Sequence, residues 1–141
     1  MSKVFFHYAD RKLSISGKND IKSFIEKIFR LEKKLLQRLD YIFCSDEYLL
    51  DINKTHLQHD YYTDIITFDL SNTNKTVAEI YISLDRVADN AQTLHQPLNN
   101  EILRVIIHGA LHLCNYNDKK KEEKIIMRQM EDKYISLFLN Q

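Results

Sequence analysis

His108 and His112 stand four residues apart in an apolar run, Ile106-Ile107-His108-Gly109-Ala110-Leu111-His112-Leu113-Cys114, and Asp118 follows six residues later. On an α-helix, residues i and i+4 share a face, one turn apart. Two imidazoles at this spacing can bind one metal ion with little backbone rearrangement. A carboxylate from the following loop can supply a third donor. Three protein ligands leave a coordination position open for water, which marks a catalytic rather than a structural zinc site. The constellation reads as that of a metal-dependent hydrolase. A helically spaced histidine pair is by itself a common surface or core feature, but here the setting sharpens it. An imidazole among apolar residues is costly to bury without partners. Asn115 is a residue type that tolerates the left-handed conformation ending a helix, so the chain can turn and bring Asp118 back toward the pair.

The zinc-peptidase motif places Glu directly after the first His, as general base. Here that position is Gly109. Peptidase chemistry is therefore disfavoured, and the sequence identifies no other general base.

The elements that must position these residues follow from periodicity. Residues from about Lys3 to Tyr8 predict a strand. Asn19 or Asp20 can cap a helix in which Ile21, Phe24, Ile25, Ile28, Phe29 and Leu31 follow helical spacing. Tyr41-Ile42-Phe43-Cys44 reads as a buried strand. Asp46 begins a short helix with Leu49, Leu50, Ile52 and Leu57. Thr63-Asp64-Ile65-Ile66-Thr67-Phe68 is β-branched and aromatic, hence a strand. A turn at Asn72-Thr73-Asn74 leads to a strand near Glu79–Ser83, and the pair predicts an antiparallel hairpin. A helix from Ser83 to about His95 stops near Pro97. The motif helix runs from about Asn99 or Asn100 to Cys114. A last helix spans about Lys121 to Leu139, with Ile125, Ile126, Met130, Tyr134, Leu137 and Phe138 as its buried stripe. The expected fold is α+β: a small mixed four-stranded sheet covered by about five helices.

The length of 141 residues fits a single domain over 1–141. No apolar stretch is long enough to span a bilayer, and the N-terminus lacks a signal-peptide pattern. Cys44 and Cys114 lie in apolar sequence, as reduced core thiols do. These features predict a cytoplasmic protein with no membrane partner. Twenty basic residues balance twenty acidic ones. A nucleic-acid partner therefore finds no support in net charge and has to be met by a local patch.

His108-Gly109-Ala110-Leu111-His112-Leu113-Cys114-Asn115-Tyr116-Asn117-Asp118 resembles the His-Gly-x-Leu-His-Leu-x-Gly-Tyr-Asp-His motif of the YbeY family of ribosomal-RNA maturation endoribonucleases. Ile52-Asn53 and Thr63-Asp64-Ile65-Ile66-Thr67-Phe68 resemble its upstream block, and Ala78-Glu79-Ile80-Tyr81-Ile82-Ser83 its Gly-Asp-Ile-x-Ile-Ser block. The resemblance runs from about Tyr41 to Glu131. It implies a cytoplasmic metal-dependent RNA hydrolase that acts on single strands. It also implies a place in 16S rRNA 3′-end maturation and ribosome quality control, with ribosomal RNA and the small ribosomal subunit as partners. By motif position His108 and His112 are metal ligands. The family's third ligand is usually His, and Asp118 stands there. The implied cofactor is one divalent ion per chain, zinc first. An anionic oxygen ligand makes it a weaker Lewis acid and leaves Mn or Ni open.

Leu57 stands where the family usually has an arginine associated with activity. Arg104, one turn before His108, is the candidate replacement. Glu101, Arg104, His108 and His112 form one stripe, and a guanidinium there can hold an RNA phosphate. The plainer role for Arg104 is a surface pair with Glu101 at i,i+3. Lys119-Lys120-Lys121 can attract a phosphate backbone or be a solvated helix start. His56 and His59 are readable as surface histidines or as an acid or base near the cleft. Tyr61 and Tyr62 can stack on bases or pack on the sheet. His7 and His95 belong to no constellation. Two rival functions stay open: a ribosome-associated protein with a structural metal, and a hydrolase of small substrates.

Overall fold

The expected hairpin forms. Strands β3 (Ile65–Asp69) and β4 (Lys75–Ser83) pair antiparallel, with Ile66 opposite Tyr81. On its other edge β4 pairs parallel with β2 (Leu35–Cys44), which in turn takes β1 (Val4–Tyr8) parallel, for a spatial order β1-β2-β4-β3. Helix α1 (Lys18–Leu31) links β1 to β2, and α2 (Asp46–Leu57) links β2 to β3. Helices α3 (Leu84–Thr93), α4 (Leu98–Leu113) and α5 (Lys121–Leu139) follow the sheet. The computed structural model describes all of residues 1–141. The mixed sheet of four strands with five helices is the α+β arrangement that the periodicity predicts. No helix is long and apolar enough to cross a membrane.

Register decides which side chains face which helices. Across β2 and β4 the pairs Leu39/Ala78, Tyr41/Ile80 and Phe43/Ile82 are all buried, on the face shared with α1 and α4. Cys44, Leu49 and Ile66 form a smaller cluster under α2, with Phe68 and Tyr81 beside it. Helix α4 is the central element. Ile102, Ile106, Ile107, Ala110 and Leu111 are essentially inaccessible, and each large apolar side chain so buried contributes roughly 1.5–3 kcal/mol. The Tyr41 hydroxyl, itself buried, donates to the Ile106 carbonyl at 2.8 Å, which satisfies a group that is expensive to bury unpaired.

Gly109 is where α4 meets the sheet. A Cβ there would stand 2.9 Å from Ile80 Cδ1 and 3.0 Å from Ile65 Cδ1. The position that carries Glu in zinc peptidases thus faces packed sheet, with no room for a side chain.

Several boundaries differ from the sequence expectation. Strand β2 begins at Leu35, not Tyr41, because a register shift between Leu36 and Arg38 breaks the period-two pattern. Helix α1 begins at Lys18 behind Gly17, which takes φ 69°; Asn19 and Asp20 lie in its first turn and neither caps it. Ser83 caps α3, accepting from Arg86 N–H, and α3 ends at Thr93 while His95 turns at φ 54°. Pro97 precedes α4, which starts at Leu98.

The largest correction concerns α5. Ile125, Ile126 and Leu137 are 52%, 48% and 37% exposed. The buried stripe is Met127, Glu131 and Tyr134, flanked by Met130, Ile135 and Phe138. Helical spacing sets this face, and a carboxylate sits in the middle of it because α4 presents it with partners.

Candidate metal centre

Helix α4 ends in a turn that returns the chain to its own last histidines. Asn115 takes φ 74°. The Asn115 N–H donates to the His112 carbonyl and the Tyr116 N–H to the Leu111 carbonyl, each at 3.1 Å. This is the paired closure of a helix ended by a left-handed residue. The turn is then tied down. The Tyr116 hydroxyl donates to Glu32 Oε1 at 2.9 Å, and the Tyr134 hydroxyl donates to the other oxygen of Glu32. Glu32 lies at the end of α1 and Tyr134 on α5, so three helices hold the loop that delivers Asp118.

The three expected ligands meet. His108 Nε2 and His112 Nε2 are 3.0 Å apart. Asp118 Oδ2 is 3.2 Å from the first and 3.4 Å from the second. Bonds of about 2.0–2.2 Å at tetrahedral angles put ligand atoms about 3.3 Å apart, so this triangle fits one divalent ion. Two imidazole nitrogens and one carboxylate oxygen form a borderline donor set, suited to zinc and open to neighbouring transition metals.

Behind the triangle lies a chain of charges. His108 Nδ1 is 2.6 Å from Glu131 Oε2. A proton on Nδ1 leaves the Nε2 lone pair facing the triangle, which is how a carboxylate orients a ligating histidine. The Arg104 guanidinium donates to Glu131 Oε1 at 2.9 Å and to Asp132 at 2.8 Å. Burial pushes Glu131 up, but the hydrogen bonds from His108 and Arg104 outweigh it and hold the carboxyl below its usual range. Burial lowers His108, yet Glu131, Asp118 and Asp64 leave it raised. Asp64 is raised by burial first and then by Asp118 and Glu131; it lines the cleft beside His108.

Arg104 does lie on the histidine stripe, one turn before His108, but its fork goes to Glu131 and Asp132 rather than to Glu101. Any phosphate would have to share those nitrogens. Lys119, Lys120 and Lys121 are all exposed at the start of α5. His59 stacks on Tyr61 and bonds its hydroxyl at 3.0 Å, and His56 sits edge-on to Phe68. Tyr61 and Tyr62 are 57% and 48% exposed, with the Tyr62 hydroxyl on Glu47, so neither packs into the sheet. Leu57 is exposed at the end of α2. Glu79 lines a different cleft, with His56 and Tyr81. His7 pairs with Asp40. Cys44 and Cys114 are free, buried thiols, each pushed up to about 12 by desolvation. Sequence reading missed Glu131. Its signal was a carboxylate spaced four residues after Met127 and three before Tyr134, inside an apolar helical stripe.

Comparison with known proteins agrees with this architecture. The profile of the family described as endoribonuclease YbeY matches residues 6–138. A protein of Cytophaga hutchinsonii named endoribonuclease YbeY is 47% identical over 135 residues, covering 95% of this chain and 94% of that protein. One of the same name from Parabacteroides distasonis is 42% identical, over 95% of this chain and 94% of its own length. The solution structure of TM1509 from Thermotoga maritima superposes with a TM-score of 0.63 at 22% identity, covering 97% of this chain and 89% of that one. At that identity the superposition speaks for the fold alone.

Proposed function

The chain belongs to the endoribonuclease YbeY family, and on that premise we propose that it is a metal-dependent endoribonuclease that hydrolyses RNA phosphodiester bonds. The observation that carries this reading is the ligand triangle of His108, His112 and Asp118, with edges of 3.0, 3.2 and 3.4 Å. We take these three residues as ligands of one divalent ion per chain, zinc first. Such an ion supplies Lewis acidity toward a phosphate oxygen and toward water. The chain's own residues supply the rest. Glu131 orients His108 and keeps its Nε2 available. Arg104 neutralises Glu131 and holds it in place. The cleft beside His108, about 210 Å³ and bordered by Asp64 and Glu101, receives the substrate.

The substrate on this reading is single-stranded RNA, specifically the 3′ region of 16S rRNA. The setting is the small ribosomal subunit in the cytoplasm, where the enzyme matures rRNA and takes part in ribosome quality control. Residues 1–141 act as one domain. With a net charge of zero, attraction to RNA comes from a local patch. Lys119 and Lys120 just before α5, with Lys121, Lys124 and Arg128 in its first half, all exposed, supply it.

The test is cleavage by the purified, metal-loaded protein. A single-stranded RNA ending in the 16S 3′ region, and a small phosphodiester, are each incubated with and without chelator. RNA fragments that vanish with chelator are the expected result. Turnover of the small ester alone, or of neither, would overturn the reading.

A further inference from the structure

The cleft beside His108 contains two arginines, and they are differently employed. Arg104 is 22% exposed, with one terminal nitrogen 2.9 Å from Glu131 and the other 2.8 Å from Asp132. Arg128 is 59% exposed and reaches only Glu131 Oε1, at 3.6 Å. That is beyond hydrogen-bonding distance, and the oxygen already accepts from Arg104. A guanidinium offers five donors in a planar fork matched to phosphate. Those of Arg128 are uncommitted.

Its position is as telling as its freedom. Arg128 lines the cleft that holds His108 and Asp64. It also lines an adjoining cleft of about 300 Å³ together with Ile135 and Leu139. A third, shallow depression with Lys121 and Lys124 includes it as well. It is therefore the hinge point between the metal-side cleft and the basic first half of α5. On a helix, Lys121, Lys124 and Arg128 fall on one face, and the rise from the first to the last, seven residues on, is about 10 Å. Three residues beyond Arg128 stands Glu131, the carboxylate that orients His108.

We propose that Arg128 binds a phosphate of the RNA strand at the mouth of the metal-side cleft, with Lys124 and Lys121 carrying the neighbouring backbone along α5. Arg104 is then a positioning residue that acts through Glu131. This assignment rests on the endoribonuclease reading and names the contact by which that site holds its substrate.

The test separates binding from catalysis. A fluorescent single-stranded 2′-O-methyl oligonucleotide, its intactness checked on a gel after each titration, is titrated with the full-length wild type, Arg128→Ala and Arg128→Lys at several salt concentrations. Arg128→Ala is expected to weaken binding about tenfold, the loss of a charge-assisted hydrogen bond. Its plot of log affinity against log salt should be shallower by about 0.7, the signature of one lost single-strand phosphate contact. Arg128→Lys should keep the wild-type slope and recover only part of the affinity. Metal content and thermal midpoint should stay at wild-type values in both variants, because the side chain is exposed. Wild-type affinity and slope in Arg128→Ala, with wild type still cleaving RNA, would overturn the assignment and spare the endoribonuclease reading. Loss of metal in Arg128→Ala would make Arg128 a support for Glu131 and overturn it equally. A wild type that neither binds nor cleaves RNA would overturn both.

Discussion

His108 Nδ1 and Glu131 Oε2 lie 2.6 Å apart, joining the motif helix to the last helix beside the candidate metal triangle of His108, His112 and Asp118. Glu131 is almost fully buried and also accepts from Arg104, so the contact is one link of a charged chain. Glu131→Gln keeps the volume but removes the charge. Metal affinity, measured by competition with a chelator, is expected to fall by about 10–100-fold, the usual cost of losing such a partner. Arg104 also loses its buried counter-charge, at a cost to stability of roughly 1–3 kcal/mol. An unchanged metal affinity would show that the contact does not orient His108.

The ligand set makes a graded prediction. Elemental analysis of His108→Ala or His112→Ala should find the metal lost. Asp118→Ala should bind it more weakly, whereas Asp118→His should retain it, because imidazole and carboxylate are both accepted at zinc. Metal bound as tightly by Asp118→Ala as by wild type would remove Asp118 from the set, leaving Asp64 as the carboxylate to test.

Asn115 holds a left-handed conformation at φ 74°. Asn115→Gly should therefore be tolerated within a few tenths of a kcal/mol, while a β-branched Asn115→Val should cost about 1–3 kcal/mol. Urea unfolding reads the difference. Equal stability of the two variants would mean that the turn has other ways to close.

At Gly109 the constraint is space. Gly109→Ala pushes a Cβ to 2.9 Å from Ile80 Cδ1 and 3.2 Å from Ile80 Cγ2. Overpacking of this kind costs about 1–3 kcal/mol. The double variant Gly109→Ala with Ile80→Val should recover part of the loss, since it removes the nearer of the two atoms. If the second change only adds to the damage, the clash is not the cause.

Acid stability tests an ion pair away from the site. Burial raises Asp40, but hydrogen bonds from Arg38 and His7 outweigh it and leave the carboxyl below its usual value. A depressed carboxyl adds stability that is fully present above the unfolded-state value, about 3.9, and that is lost as pH falls through the folded-state value. Arg38 is half exposed, so screening holds the contribution under about 1 kcal/mol. Chemical denaturation of wild type and Asp40→Asn between about pH 2 and pH 6 should show the two curves converging at the acid end. A constant difference across that range would assign the effect to something other than this charge.

Much of the molecule is legible in local sequence, because local rules decide it. Helical spacing put His108 and His112 on one face, Asn115 marked the turn, and β-branched runs marked β3 and the end of β4. Two decisions needed the tertiary structure. The first was where the inward face of α5 is centred: Met130, Tyr134 and Phe138 of the expected stripe do pack inward, whereas Ile125, Ile126 and Leu137 do not. Apolar counting favoured Ile125 and Ile126, but α4 presents His108 and Arg104, and a carboxylate with those partners outweighs two isoleucines. The second was which arginine is free. Arg104 and Arg128 carry the same side chain, and spacing relates Arg104 to the histidines. Only the packing of α5 against α4 brings Glu131 and Asp132 to Arg104 and leaves Arg128 without a hydrogen-bonded partner. Periodicity along one helix fixes directions about that helix's axis. The partners met in those directions stand more than 20 residues further along the chain, on the next helix, and their encounter is a property of the folded core.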